Sequence, residues 1–75
     1  MNKYIIAPEG CRWSSCEAAN HESAYSLNCS WYKPGTRTAV IDASTGTTKI
    51  FTRELDPAGN LKRVIEHQAQ EVIIQ

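Results

Sequence analysis

Cys11, Cys16, His21 and Cys29 are four soft donors in the spacing C-x4-C-x4-H-x7-C. Zinc takes four such groups in a tetrahedron, and structural sites usually present their cysteines in tight knuckles whose backbone aims both sulfurs. The spacing permits that chemistry without selecting it. A helix through these residues works against it, because Cys16 and Cys29 are thirteen apart, about 20 Å along an axis that rises about 1.5 Å per residue. Cys29 is expected to pack as a small buried hydrophobe, no metal or other cofactor is expected, and a zinc-stapled domain stands third among the functional alternatives. Cys16 by itself fits a reactive thiol if it lies in the first turn of a helix, where unsatisfied N–H groups favour the thiolate and Arg12 is close in sequence. Nucleophilic catalysis also needs a base. The chain has two histidines; His21 falls on the wrong turn of the same helix, and His67 is far away in sequence. With no Gly-rich phosphate loop, H-E-x-x-H or nucleophile elbow in the sequence, the expectation is a protein that is not an enzyme.

Binding chemistry is better represented. The segment TRTAVIDASTGTTKIFTREL, residues 36–55, carries two β-prone runs around Gly46, which can take the positive φ of a hairpin loop. If Ala43 opposes Thr47, then Thr38, Val40, Ile50 and Thr52 share one face. Arg37, Ala39, Ile41, Lys49, Phe51 and Arg53 share the other, with Arg37 directly opposite Arg53. Like charges so placed ask for an anion: a carboxylate of this chain such as Glu54, Glu66 or Glu71, a partner's acidic surface, or a phosphate. Arg37, Lys49, Phe51 and Arg53 are therefore the candidate residues for a nucleic-acid or anion-binding alternative. Asp42 reads as a turn-initiating residue that bonds to the loop backbone. Trp13 precedes the first expected helix and, if exposed, suits a protein interface; Trp31, on that helix's apolar line, is expected in the core.

These residues are carried by a short chain. Its 75 residues make one domain, one that buries only about 60% of its unfolded surface and stands to gain from a partner chain. Eight basic and eight acidic residues leave no net charge, which disfavours nucleic acid and anionic membranes as partners of the whole molecule. The apolar part of MNKYIIAPEG is too short for a secretory signal, and no run is long enough for a membrane span. Three cysteines, an odd number, fit free thiols in a reducing compartment, so a cytoplasmic protein is expected.

The expected fold is α+β. KYIIA, residues 3–7, is a short first strand ended by Pro8 and Gly10. Ser14 and Glu17 match a capping box, which starts a helix that Pro34 and Gly35 terminate; its second half, with Ser26, Asn28 and Ser30, has weak propensity and is open to replacement by a loop. After the hairpin, Leu61, Val64, Ile65, Ala69, Val72 and Ile73 recur at helical spacing, which favours a C-terminal amphipathic helix over the alternative of a last strand, Val72-Ile73-Ile74, paired with Tyr4 to Ile6. The sheet of first strand and hairpin then packs on the first helix. The functional expectation is a small interaction protein that binds a protein partner or self-associates, of the self-contained kind frequent among accessory genes of phages and mobile elements.

Overall fold

A computed structural model describes residues 1–67, and the fold is α+β. Five strands form one antiparallel sheet: β1 (Asn2–Pro8), β2 (Ser14–Ala18), β3 (Thr38–Asp42), β4 (Thr48–Leu55) and β5 (Leu61–His67), in the spatial order β2-β1-β3-β4-β5. One helix, α1 (His21–Asn28), runs directly into a 3₁₀ turn at Cys29–Trp31 and lies on one face of the sheet. The core between them contains Tyr4, Ile6, Ala18, Ala24, Tyr25, Cys29, Tyr32, Val40 and Phe51.

Three expectations are corrected. Ser14–Ala18 is a strand, not the first turn of a helix. Its register on β1 sets Tyr4 opposite Cys16 and Asn2 opposite Ala18, so Cys16 and Ala18 face α1 while Ser15 and Glu17 point away. The Ser14 and Glu17 pattern is a local signal that loses to backbone pairing with β1. The helix instead starts after Asn20, whose Oδ1 accepts from Ser23 N at 2.9 Å, and it is eight residues long.

The second correction concerns the chain's end. Asp56 to Asn60 is a hairpin turn, with Asp56 Oδ1 accepting from Ala58 N at 3.0 Å and Asn60 N at 2.9 Å, and Gly59 at φ 89°. β5 follows in place of the amphipathic helix. Val64 and Ile65, adjacent apolar residues that break strict alternation, serve the two faces of the sheet: Val64 packs against the core and Ile65 opposes Thr52 on the other side. The alternative strand at Val72-Ile73-Ile74 lies outside the described residues; Tyr4 to Ile6, its expected partner, already has β2 on one side and β3 on the other.

The central hairpin is present, shifted by one residue. Asp42 N donates to Thr47 O at 2.9 Å and Gly46 N to Asp42 O at 2.7 Å, so the loop has four residues and Asp42, not Ala43, faces Thr47. Asp42 Oδ1 accepts from Ser44 N at 2.9 Å, Ser44 Oγ at 2.7 Å and Thr45 N at 3.3 Å, which fixes this closure and holds the carboxyl below its ordinary range. The pairs are therefore Thr38 with Phe51, Ala39 with Ile50, and Val40 with Lys49. Phe51 turns inward, and Ile50 turns outward.

Candidate functional site

The loop from β1 to β2 and the end of α1 meet at one side of the molecule. Cys11 N donates to Pro8 O at 3.2 Å, which bends the loop and brings Arg12 and Trp13 beside the helix end. Asn28 fixes the opposite wall: its Nδ2 donates to Ala24 O at 2.9 Å and reaches Cys16 Sγ at 3.5 Å, so the last turn of α1 is tied to β2. The chain then tightens into the 3₁₀ turn. Residues three apart eclipse one another in that geometry, and the pair that points inward is Cys29 and Tyr32, 7% and 9% exposed. Trp31, expected in the core on a continuous helical period, is left 82% exposed, and Trp13 is 68% exposed.

The two tryptophans are the only ones in the chain, and they line one groove together with Cys11, Arg12, Asn28 and Tyr32. Its volume of about 230 Å³ is below the roughly 300–1,000 Å³ of small-molecule pockets and suits one or two inserted side chains. The Tyr32 hydroxyl is buried without a hydrogen-bond partner among the described residues, and burial raises it from 10.0 to about 12. Burial likewise raises the Tyr25 hydroxyl. Both groups favour the folded state while protonated, so that contribution is complete below pH 10.0, the ordinary value, and is lost as pH rises toward about 12. Alkaline titration followed by circular dichroism is expected to show unfolding that begins in this window and moves to higher pH in Tyr32→Phe; an unmoved midpoint contradicts the assignment.

The expected hairpin surface is not one surface. Phe51 is in the core, its ring stacked on Tyr25 at 5.3 Å and 21°. Lys49 Nζ lies 3.8 Å from a Glu66 carboxylate oxygen, and Arg53 Nη2 donates to Tyr32 O at 2.7 Å. Arg53 opposes Val64 rather than Arg37, and Arg37 is exposed next to Glu9, whose N–H donates to Arg37 O at 2.9 Å. A carboxylate of the chain and a backbone carbonyl thus take the roles for which an anion was expected.

No family model, no curated protein and no solved structure matches this chain. Its own residues must carry the functional argument.

The soft donors are dispersed. Cys11 is exposed in the groove, Cys16 Sγ faces Ala24 O at 4.0 Å, and Cys29 is buried with Sγ 3.7 Å from Ser26 O. His21 packs edge-on against Tyr4 at 4.8 Å and donates from Nε2 to Thr47 O at 2.9 Å, so that nitrogen carries its proton. Among the described residues no three His, Cys, Asp or Glu side chains converge. Because Cys16 lies inside β2, it has no helix N-terminus to favour its thiolate. A wider hollow of about 720 Å³ beside the start of α1 is lined by Glu17, Glu22, Ser23 and Ser26, without a His, Cys, Lys or Arg. No helix among the described residues is long and apolar enough to cross a membrane.

The sequence pointed to Trp13 and missed Trp31. The signal for Trp31 was the weak helix propensity of Ser26, Asn28 and Ser30, which marks where the helical period stops.

Proposed function

We propose that this protein is a non-enzymatic binding module that receives an extended segment of a protein partner in the groove between Trp13 and Trp31. The observation that carries this reading is that the chain's two largest side chains are both exposed, on one groove, in a molecule whose remaining aromatics are buried or half-buried. Aromatic-lined grooves hold extended segments by seating a proline or aliphatic side chain against the rings. Tryptophan and arginine are also the residue types that dominate binding energy at interfaces, and Arg12 lies in the same groove. The three free thiols, one of them exposed, support a cytoplasmic setting.

The test is selection of peptides from a displayed library on the full chain, with affinity then read from indole fluorescence. Selected peptides are expected to carry a proline or aliphatic anchor and to bind roughly 30-fold more weakly, about 2 kcal/mol, to Trp13→Ala and to Trp31→Ala. The reading fails if selection returns nothing, or if the selected peptides bind both variants as they bind the parent chain.

A further inference from the structure

The face of the sheet opposite α1 presents an apolar surface that no helix among the described residues covers; His67 lies at its β5 edge, with Nε2 2.8 Å from Thr52 Oγ1. The strand register places Ile5 opposite Ile41, Ala7 opposite Ala39, Ala39 opposite Ile50, and Thr52 opposite Ile65, all on this face and all but Thr52 only half-buried. Four of the five strands contribute, with β3 in the middle. We propose that a second copy of this chain packs face to face on this surface, so that the protein is a homodimer built as a sandwich of two five-stranded sheets.

The charges around the apolar centre select a copy of the chain over other occupants. They come as neighbours of opposite sign. Lys3 opposes Glu17 across β1 and β2, Arg63 Nε donates to Glu54 Oε1 at 2.6 Å across β4 and β5, and Glu9 and Arg37 meet beyond the paired ends of β1 and β3. An apolar centre with a mixed polar rim is the anatomy of a protein interface. Arg63 and Glu54 are an ion pair, and Lys3 with Glu17 and Glu9 with Arg37 set opposite signs side by side, so the rim offers a polyanion or a strongly charged partner no field of one sign. Another copy of the same mixed rim, turned about a two-fold axis that runs between the two sheets above β3, brings no net repulsion and can match each sign with its opposite.

Size sets the strength. Five strands spaced about 4.8 Å apart, rising about 3.3 Å per residue, give a face of roughly 500 Å². Two such faces bury roughly 1,000 Å², at the lower edge of specific interfaces, which corresponds to a dimer that dissociates on dilution. Aligned packing of two twisted sheets about 10 Å apart fits isoleucine and alanine side chains of this length.

Sedimentation equilibrium of the full chain between about 10 μM and about 1 mM, the range in which so small an interface associates, is expected to show a mass rising from 8.4 kDa toward twice that value. Ile41→Lys is expected to weaken association at least tenfold while circular dichroism stays native. Should Ile41→Lys fail to fold, Ala39→Lys makes the same test on the same strand. Three results overturn the proposal: a monomer throughout the range, a dimer indifferent to both lysine variants, or a full-length monomer that dimerises only after removal of residues 68–75. The Trp13→Ala variant is expected to dimerise normally, which separates this interface from the groove.

Discussion

Phe51→Ala is expected to cost about 3–5 kcal/mol of stability, whereas Ile50→Ala, one residue away, is expected to cost about 1 kcal/mol. Phe51 is 1% exposed, opposes Thr38 on β3, and stacks on Tyr25. Truncating it removes an aromatic ring from the centre of the core, and the backbone of a paired strand cannot collapse into the space. Ile50 lies half-buried on the outer face. At about 0.05–0.15 kcal/mol per residue, a chain of 75 residues has roughly 4–11 kcal/mol in total, so Phe51→Ala should remove at least about a quarter of it. Urea denaturation followed by circular dichroism, in dilute solution where a weak dimer is dissociated, gives both values. The pair also tests register. A hairpin closed by Ala43 and Thr47 would put Ile50 inside and Phe51 outside, and the order of the two costs would reverse.

That register marks the limit of what the sequence makes legible. The turn chemistry is local and readable: Asp42 and Gly46 announce a loop, and both act in it. Choosing between a three-residue and a four-residue loop depends on which face can be buried, and here both faces carry apolar residues, Val40 and Phe51 on one, Ile41 and Ile50 on the other. The same ambiguity hides β5, where Val64 and Ile65 serve opposite faces and so mimic the start of a helical stripe. β2 is hidden for a different reason. Ser14 to Ala18 has no β-branched residue and carries a capping pattern, and only its alignment with β1 makes it a strand. Long-range pairing decides such segments, and no window of the sequence contains both partners. The site follows the same division. Trp13 was readable as a loop tryptophan, but Trp31 enters the groove because the helix gives way to a 3₁₀ turn after Asn28, which trades a period of 3.6 for one of 3 and sends Tyr32 inward in its place. The basic set failed as a surface because the one-residue shift assigns Arg37 to one face and Lys49, Phe51 and Arg53 to the other.

Tyr25→Ala is expected to cost a further about 3–5 kcal/mol on its own background and to abolish the groove with it. An isolated helix of eight residues is far below the roughly 12–15 needed for even marginal stability in water. α1 therefore persists through its tertiary contacts: His21 and Asn28 tie its two ends to the β3–β4 loop and to β2, and the side chains it fully buries are Ala24 and Tyr25. Ala24 supplies close approach and little area. Tyr25 supplies the area: its ring lies 5.3 Å from that of Phe51 and 6.3 Å from that of Tyr32, so it joins the helix to β4 and to the segment just past the 3₁₀ turn. Without it, α1 and the turn that orients Trp31 lose their main attachment to the sheet. Tyr25→Phe keeps the ring and should cost less than about 1.5 kcal/mol. Hydrogen exchange separates a local from a global consequence. In dilute solution, where the dimer is dissociated, loss of protection in α1 together with exchange throughout the strands is the expected result, because Tyr25 and Phe51 complete one stack and a lone sheet stripped of its helix has no covered face. If, at concentrations where the dimer forms, Tyr25→Ala unfolds α1 but leaves the strands protected, the sheet must be held by its other face, and the dimer contact rather than the helix would be the principal source of stability.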